Sequence, residues 1–324
     1  MIKAFVVESG RLRLVDDLDA HKADIAWADL HEPTREEVAT IQNWLGIELP
    51  SRDEMEEIEI SSRLYVEDGA YFMTATVPAK TEVDEDPIMA PVTFVLVGSR
   101  LVTMRYHDPR AFRIYPQRAE KADTGCTTGD TILIGLLEAL VDRIADILER
   151  AARDIEALSR EIFRTRDGKT RGGQDFQSLL TQIGRKEDLA SNIRDSLTSL
   201  QRLSGFFAHA ATTAKMNKDV RARIKTLSRD VLSIADHTTF LSQKVNFLLD
   251  ATLGMINIEQ NAIIKIFSVA AVIFLPPTLV ASIYGMNFDV MPELNWEYGY
   301  PFGIGLMIVS AILPYLYFRR RGWL

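Results

Sequence analysis

Two long apolar segments without a single charged residue constrain the fold of this chain more than any other feature. They are residues 266–284 (IFSVAAVIFLPPTLVASIY) and 300–318 (YPFGIGLMIVSAILPYLYF). Each segment is about 19 residues long and would span roughly 28 Å as a helix, which matches the hydrocarbon thickness of a bilayer. We therefore predict two transmembrane helices joined by a short loop. A buried helical hairpin in a soluble protein is the alternative, and it requires paired lengths and flanking charges to coincide by chance.

The charges that flank the two segments predict the orientation of the hairpin. Lys265 precedes the first segment, and Arg319, Arg320 and Arg321 follow the second. The connecting loop has no Lys or Arg and carries three carboxylates: Asp289, Glu293 and Glu297. Because positively charged flanks stay on the cytoplasmic side, we expect a multi-pass protein with the N-terminal part and the C-terminus in the cytoplasm and the acidic loop outside.

The part of the chain before residue 126 has the pattern of a mixed α/β domain. Four runs rich in β-branched and aromatic residues lie between turn residues: Lys3–Val7, Tyr71–Val77, Val92–Val97 and Leu101–Arg105. Thr34 and Glu37 have the spacing of a capping box, which predicts a helix to Leu45, and Arg52–Ile60 is a second helix candidate. We therefore predict a cytoplasmic α/β domain over residues 1–125.

Residues 126–262 are predicted to form long helices, because no proline occurs between Gln117 and Leu275. The last helix is expected to begin near Met216 and to continue into the first apolar segment. Such a helix would be on the order of 100 Å long and could not bury its apolar face alone. The predicted order is thus the α/β domain, a long helical stalk over 126–262, and two C-terminal transmembrane helices with a basic tail over 263–324.

One face of this last helix has smaller and more polar side chains than its flanks. Steps of three and four residues define this face, the pore stripe: Asp250, Leu253, Asn257, Asn261, Ile264, Ser268, Ala271, Leu275, Thr278 and Ser282. Polar groups at membrane depth are tolerated where they line a water-filled cavity. We therefore predict that the stripe lines a pore, with Ile264 and Leu275 as hydrophobic constrictions. A helix–helix contact is the alternative, since small residues also favour close packing in lipid.

A hairpin of two helices cannot enclose a pore, so the pore stripe predicts a symmetric assembly of several copies around one axis. The sequence has no nucleotide-binding loop or other energy-coupling motif, and we expect transport down an electrochemical gradient, without enzymatic activity or a bound cofactor. The net charge of −8 argues against a nucleic-acid partner. The expected partners are further copies of the chain, the lipid bilayer and divalent cations.

The turn after the first apolar segment reads Tyr284-Gly285-Met286-Asn287. Further motifs extend over nearly the whole chain: Leu49–Glu59, Gln243–Leu248, Asn257–Asn261, Met291–Leu294 and Gly322–Leu324. With these residues the sequence resembles the CorA family of magnesium channels. The resemblance implies a funnel-shaped homopentamer in the bacterial inner membrane, in which the long stalk helices line the pore.

The same resemblance implies that Gly285, Met286 and Asn287 form the selectivity filter, with Asn287 as its outer ring. Mg²⁺ gives up its waters reluctantly, and a ring of carboxamide oxygens can hydrogen-bond those waters without holding the ion too tightly to leave. The carboxylates of the connecting loop would concentrate cations at the pore mouth. Passage of Co²⁺ and Ni²⁺ is expected as well.

The resemblance also implies gating by intracellular Mg²⁺, which would bridge carboxylates across subunit interfaces. Candidate regulatory metal ligands are Asp230 on the stalk and an acidic group that comprises Glu82, Asp84, Glu85 and Asp86. A solvated acidic surface is the alternative interpretation of that group.

Two other functions are compatible with the sequence. A zinc transporter of the ZntB type would have the same architecture, but that branch usually has Ile at the position of Met286. A membrane-anchored scaffold or sensor would use the stalk only as a coiled coil. The sequence favours magnesium, because a soft-metal carrier would be expected to use Cys or His, and neither residue occurs after His237.

Overall fold

The structure is a computed structural model and describes residues 1–80, 87–163, 173–287, 291–292 and 296–323. The chain divides into two compact units. Met1–Arg164 together with Leu179–Leu248 form the first unit, and the segment Leu249–Leu324 belongs to the second.

The first unit contains a seven-stranded sheet. Its strands are β1 (Ile2–Glu8), β2 (Arg11–Val15), β3 (Ile25–His31), β4 (Leu64–Glu67), β5 (Ala70–Ala79), β6 (Ile88–Val97) and β7 (Arg100–Arg105). The strand order is β2-β1-β3-β7-β6-β5-β4, and β3 and β7 pair in parallel within an otherwise antiparallel sheet of the described residues. Each of the four runs predicted from the sequence lies within a strand, which confirms the α/β assignment.

Four shorter helices accompany the sheet: α1 (Arg35–Leu45), α2 (Arg52–Glu56), α3 (Ile60–Arg63) and α4 (Ala111–Lys121). The predicted capping box begins α1, because the Thr34 hydroxyl accepts from the Glu37 amide at 3.2 Å and the Glu37 carboxylate accepts from the Thr34 amide at 2.9 Å. The predicted single helix over Arg52–Ile60 is wrong. The chain leaves the helix at Glu57, which has a ψ of 143°, and Ile58 is 88% exposed, so no buried apolar side chain between Met55 and Ile60 favours a longer helix.

Apolar residues fill both faces of the sheet. On one face, Leu30 and Met104 pack with Ile41 of α1 and Met55 of α2. On the other face, Trp27 stacks on Phe5 at 4.5 Å and meets Phe112 and Tyr115 of α4 at ring distances near 6.4 Å and 6.3 Å. Burial of these side chains supplies the main stabilisation of the domain.

A buried polar network lies on the Trp27 face of the sheet. Arg105 pairs with Asp29 at 3.0 Å, and both side chains are 3% exposed. Asp29 also accepts from the Thr103 hydroxyl at 2.8 Å, which in turn accepts from the Trp27 indole at 3.0 Å. Because each buried charge has several partners, the desolvation cost of the ion pair is offset.

Three long helices contribute to the first unit: α5 (Gly129–Phe163), α6 (Gly173–Thr213) and α7 (Lys218–Tyr284), of which α7 continues into the second unit. The predicted start of the last long helix near Met216 agrees with the start of α7 to within two residues. Side chains connect the three helices in the first unit. Arg223 of α7 pairs with Glu138 of α5 at 2.6 Å, and Ser242 of α7 donates to Glu187 of α6 at 2.8 Å.

The second unit contains the last part of α7 and α8 (Gly299–Arg320). Both helices are long and apolar enough to cross a membrane. Their ends, Tyr284 and Arg320, lie close to the ends of the apolar segments 266–284 and 300–318. The α/β domain, the long helices and the two candidate membrane helices therefore follow in the predicted order.

Candidate functional site

Every residue of the predicted pore stripe lies on α7 and is exposed in the single chain. The two predicted constrictions are among the more exposed apolar residues, since Ile264 is 60% and Leu275 is 65% exposed. The stripe therefore forms a face of α7 that its own chain leaves uncovered.

The covered residues of α7 between Ile264 and Asn287 lie on the opposite side of the helix. They are Val269, Ala270, Ile273, Pro276, Pro277, Val280 and Tyr284. Val269 is the most deeply buried of them, at 2% exposure. At 100° of rotation per residue, the mean direction of this covered face lies about 180° from the mean direction of the pore stripe.

The covered residues of α8 also form one face, and most of them are small. They are Gly299, Gly303, Met307, Ser310, Ala311, Pro314 and Phe318, whereas Gly305 lies on the opposite side of the helix. Two ring carbons of Tyr284 lie 3.8 Å and 3.9 Å from the position that a Cβ would take at Gly303. Small residues allow membrane helices to approach closely. The contact with α8 thus uses the face of α7 opposite to the stripe, and it does not account for the small and polar residues of the stripe.

The Gly-Met-Asn turn follows directly after α7. The Gly285 amide donates to the Ala281 carbonyl at 2.9 Å, and the Met286 amide donates to the Ile283 carbonyl at 3.2 Å. A Cβ at Gly285 would lie 3.1 Å from the Ala281 oxygen, so glycine relieves a tight approach at this position. Asn287 is exposed, and its carboxamide forms no hydrogen bond within the part of the chain that the structure describes.

Only part of the predicted acidic loop can be placed. Glu297 is exposed. Its neighbours in the sequence, Trp296 and Tyr298, have their ring centres 6.4 Å apart. Trp296 also contacts Phe302 of α8 at a ring distance of 5.6 Å. Asp289 and Glu293 lie outside the described residues, and so does the predicted regulatory group Glu82, Asp84, Glu85 and Asp86.

Asp230, the predicted regulatory residue on the stalk, is exposed at a cleft of about 720 Å³ between α4, α5 and α7. Three carboxylates of α5 line the same cleft: Glu138, Asp142 and Asp146. Burial raises the pKa of Asp142, and the nearby carboxylates of Glu138 and Asp146 raise it further. The cleft therefore combines these carboxylates with four arginines, Arg110, Arg118, Arg143 and Arg223, next to the first turns of α7.

Within the described ranges, no three His, Cys, Asp or Glu side chains are arranged to hold a metal ion. Glu138 pairs with Arg223 instead. The row formed by Glu138, Asp142 and Asp146 is absent from the sequence-based candidates, although its four-residue spacing places all three on one side of a helix. That spacing is the signal that could have identified it.

Comparison with known proteins identifies the family. The family model described as "CorA-like Mg2+ transporter protein" matches residues 22–320. The chain belongs to this family. The magnesium transport proteins CorA of Haemophilus influenzae and Pasteurella multocida are each 40% identical to it, and the alignments cover 100% of both chains.

Solved structures of relatives show the same fold. The complete CorA magnesium transporter of Methanocaldococcus jannaschii matches with a TM-score of 0.80 at 19% identity, over 100% of this chain and 99% of that one. The cytoplasmic domain of ZntB from Vibrio parahaemolyticus matches with a TM-score of 0.55 at 10% identity, over 78% of this chain and 96% of that one. Both likenesses concern the fold alone.

Membership of the CorA family confirms the resemblance found in the sequence. The family consists of membrane transporters, so the chain is a transport protein and not an enzyme. Its two candidate transmembrane helices correspond to α8 and the apolar part of α7.

Proposed function

We propose that the chain is one subunit of a gradient-driven Mg²⁺ channel, in which the pore stripe of α7 lines the conduit. The observation that supports this function is that α7 has two opposite faces, one covered by its own chain and one exposed. The face that is covered by the chain, and that includes the Tyr284 contact with α8, is opposite to the stripe. With α8 on the outside, copies of α7 around one axis would turn their stripes towards a common centre.

The proposed assembly is a homopentamer, with the two termini in the cytoplasm of a bacterial inner membrane. The cytoplasmic part of α7 offers apolar surface for such contacts, because Phe240 and Phe247, seven residues apart, are 57% and 59% exposed. Large exposed apolar side chains on one helix favour association with further chains. The number five comes from the family resemblance.

The proposed filter consists of Gly285, Met286 and Asn287. The Asn287 carboxamide is exposed and unbonded within the described residues, so it is free to accept hydrogen bonds from waters on a hydrated Mg²⁺ ion. A neutral oxygen binds such an ion less tightly than a carboxylate, which allows it to leave. Glu297, together with Asp289 and Glu293, would raise the local cation concentration. We extend the proposal to Co²⁺ and Ni²⁺.

We further propose that cytoplasmic Mg²⁺ closes the channel by binding carboxylates of adjacent copies. Asp230 supports this role because it is exposed beside Asp142 and Asp146 and has no ion pair within the described ranges. One chain supplies no complete metal site there, so ligands from a second copy are required. The acidic group over residues 82–86 is a second candidate for such ligands.

The test is cation uptake into liposomes that contain the purified protein. We expect the natural sequence to conduct Mg²⁺, and Asn287→Ala to lower the Mg²⁺ flux to the background of empty liposomes while the oligomer stays assembled in size-exclusion chromatography. Gln201→Ala is the matched control, because it removes an exposed carboxamide from α6 and should leave the flux unchanged.

Three outcomes would contradict the proposal in different ways. Unchanged selectivity and flux in Asn287→Ala would show that the filter is misplaced. Zn²⁺ flux without Mg²⁺ flux would assign the chain to zinc transport. An assembled protein without any cation flux would favour a scaffold or sensor.

A further inference from the structure

The end of α8 is folded into a defined cap rather than a trailing basic tail. The Trp323 amide donates to the Phe318 carbonyl at 3.1 Å, and the Gly322 amide donates to the Arg319 carbonyl at 3.2 Å. Gly322 has a φ of 69°, the left-handed conformation that glycine adopts without strain. These bonds form a Schellman motif, and its usual apolar contact is present, since Trp323 stacks on Phe318 at 5.3 Å. We call residues Phe318–Trp323 the α8 cap.

The α8 cap gathers positive charge next to the start of the membrane segment of α7. The Lys265 ammonium lies 5.9 Å from the centre of the Trp323 ring, within the range of a cation–π contact. The Arg321 guanidinium lies 5.7 Å from the Tyr317 ring. Arg319 and Arg320 are exposed. The ordered end of α8 therefore carries three arginines, and its Trp323 ring contacts the lysine of α7.

None of these four cations forms an ion pair with a carboxylate in the part of the chain that the structure describes. The absence is notable in a chain whose net charge is −8. Along α7, the nearest carboxylate is Glu259, six residues before Lys265. No carboxylate of the described protein therefore neutralises the charge of the cap, which leaves it available to an anion from outside.

The chemistry of the cap suits the headgroup region of a membrane. Trp and Tyr side chains prefer the interface between hydrocarbon and water, and Arg forms paired hydrogen bonds with phosphate oxygens. A zwitterionic headgroup carries its own cation beside the phosphate, whereas an anionic headgroup does not. Clusters of Lys and Arg directly beside a transmembrane helix attract anionic lipids for this reason.

We propose that Lys265, Arg319, Arg320, Arg321 and Trp323 form a binding site for the phosphate of an anionic phospholipid in the cytoplasmic leaflet. One lipid at this site contacts α7 through Lys265 and α8 through the arginines, and it stabilises the pair of helices at the inner surface. The proposal rests on the assignment of the hairpin to the membrane and on its orientation, and not on the ion that passes.

Native mass spectrometry of the detergent-purified full-length protein tests this site. Phosphatidylglycerol and phosphatidylcholine with the same acyl chains are added in equal amounts, and the retained lipid is counted per chain. We expect preferential retention of phosphatidylglycerol, and at least a tenfold loss of that preference in the Arg319→Gln, Arg320→Gln, Arg321→Gln triple variant, as for a lost charge-assisted contact. The matched control replaces three exposed cations of the first unit, Lys3, Arg11 and Arg13, with Gln and should keep the preference.

Two further variants test whether lipid retention depends on the folded cap and on α7, or only on the positive charge of the arginines. Gly322→Val retains all four cations but disfavours the left-handed residue of the cap, and Lys265→Gln removes the contribution of α7. Both should weaken retention of phosphatidylglycerol while the protein still elutes as the same oligomer.

Equal retention of the two lipids, or full retention in the triple variant, would overturn the proposal. Displacement of the lipid by millimolar inorganic phosphate would assign the site to a soluble anion and would overturn it as well.

These readouts are independent of transport. Retention of phosphatidylglycerol by a protein that conducts no Mg²⁺ would leave the lipid site intact and would contradict only the proposed function. Mg²⁺ flux in a protein that binds both lipids equally would support the proposed function and would contradict the lipid site.

Discussion

His107 follows β7 and lies against β5, and it is 8% exposed. Its Nε2 donates to the Val77 carbonyl at 3.1 Å, and its Nδ1 has no hydrogen-bond partner among the described residues. Burial, with a smaller contribution from the positive charge of Arg105, lowers the pKa of His107 to about 4. The neutral imidazole is therefore the form that the folded domain accommodates.

This environment predicts a pH dependence of stability. An unfolded His has a pKa near 6.5, so the unfolded chain binds the proton more readily, and the free energy of unfolding should decrease as the pH falls from about 6.5 to 4. The contribution of His107 is on the order of 3 kcal/mol at most. Thermal unfolding of the natural sequence and of His107→Gln between pH 7 and pH 4.5 measures it. The variant should show the shallower decrease, and parallel curves would contradict the assignment.

Positions that depend on one helix can be predicted from the sequence, whereas contacts between residues that the sheet brings together cannot. The pore stripe follows from helical periodicity, and its members share one exposed face of α7. Asp29 and Arg105 are 76 residues apart and meet because β3 and β7 pair in parallel. No local pattern contains that pairing, so neither this network nor the site of His107 could be predicted.

At the level of elements, the contact between α7 and α8 depends on small residues. A Cβ at Gly303 would be in ordinary van der Waals contact with Tyr284 at 3.8 Å, whereas a Cβ at Gly305 would meet nothing within 4 Å. We expect Gly303→Ala to be tolerated and Gly303→Leu to destabilise the hairpin by about 1–3 kcal/mol, the usual cost of overpacking. Thermal unfolding in detergent should show a lower midpoint for Gly303→Leu than for the control Gly305→Leu. Equal midpoints would mean that the two helices do not pack through this face.

Long elements were easier to predict than short ones. The absence of proline and the uncharged runs indicated α7 and α8 to within a few residues. The predicted helix Arg52–Ile60 extends past the end of the five-residue helix α2, because the sequence Glu57-Ile58-Glu59 has neither proline nor glycine to mark that end. Short helices are marginal in isolation, so contacts with the sheet decide where they end.

At the scale of the whole molecule, the proposed pore requires several copies of the chain without fixing their number. A single hairpin cannot surround a pore, and the number five comes from the family resemblance. Native mass spectrometry of the detergent-solubilised protein should give about 180 kDa, five copies of a 36.5 kDa chain. A dimer or a monomer as the largest species would contradict the proposed assembly.

The central claim is that the stripe of α7 lines the ion pathway, and cysteine accessibility in conducting liposomes tests it most directly. The buried Cys126 is first replaced by Ser, which retains a hydrogen-bonding group beside Tyr115. Single cysteines then replace three stripe residues (Ile264, Ser268 and Leu275) and three covered residues (Val269, Ile273 and Val280). A charged thiol reagent should block Mg²⁺ flux through the first three variants and leave the other three conducting. Block of the covered positions with no effect at the stripe would contradict the claim and would place the pore on the opposite face of α7.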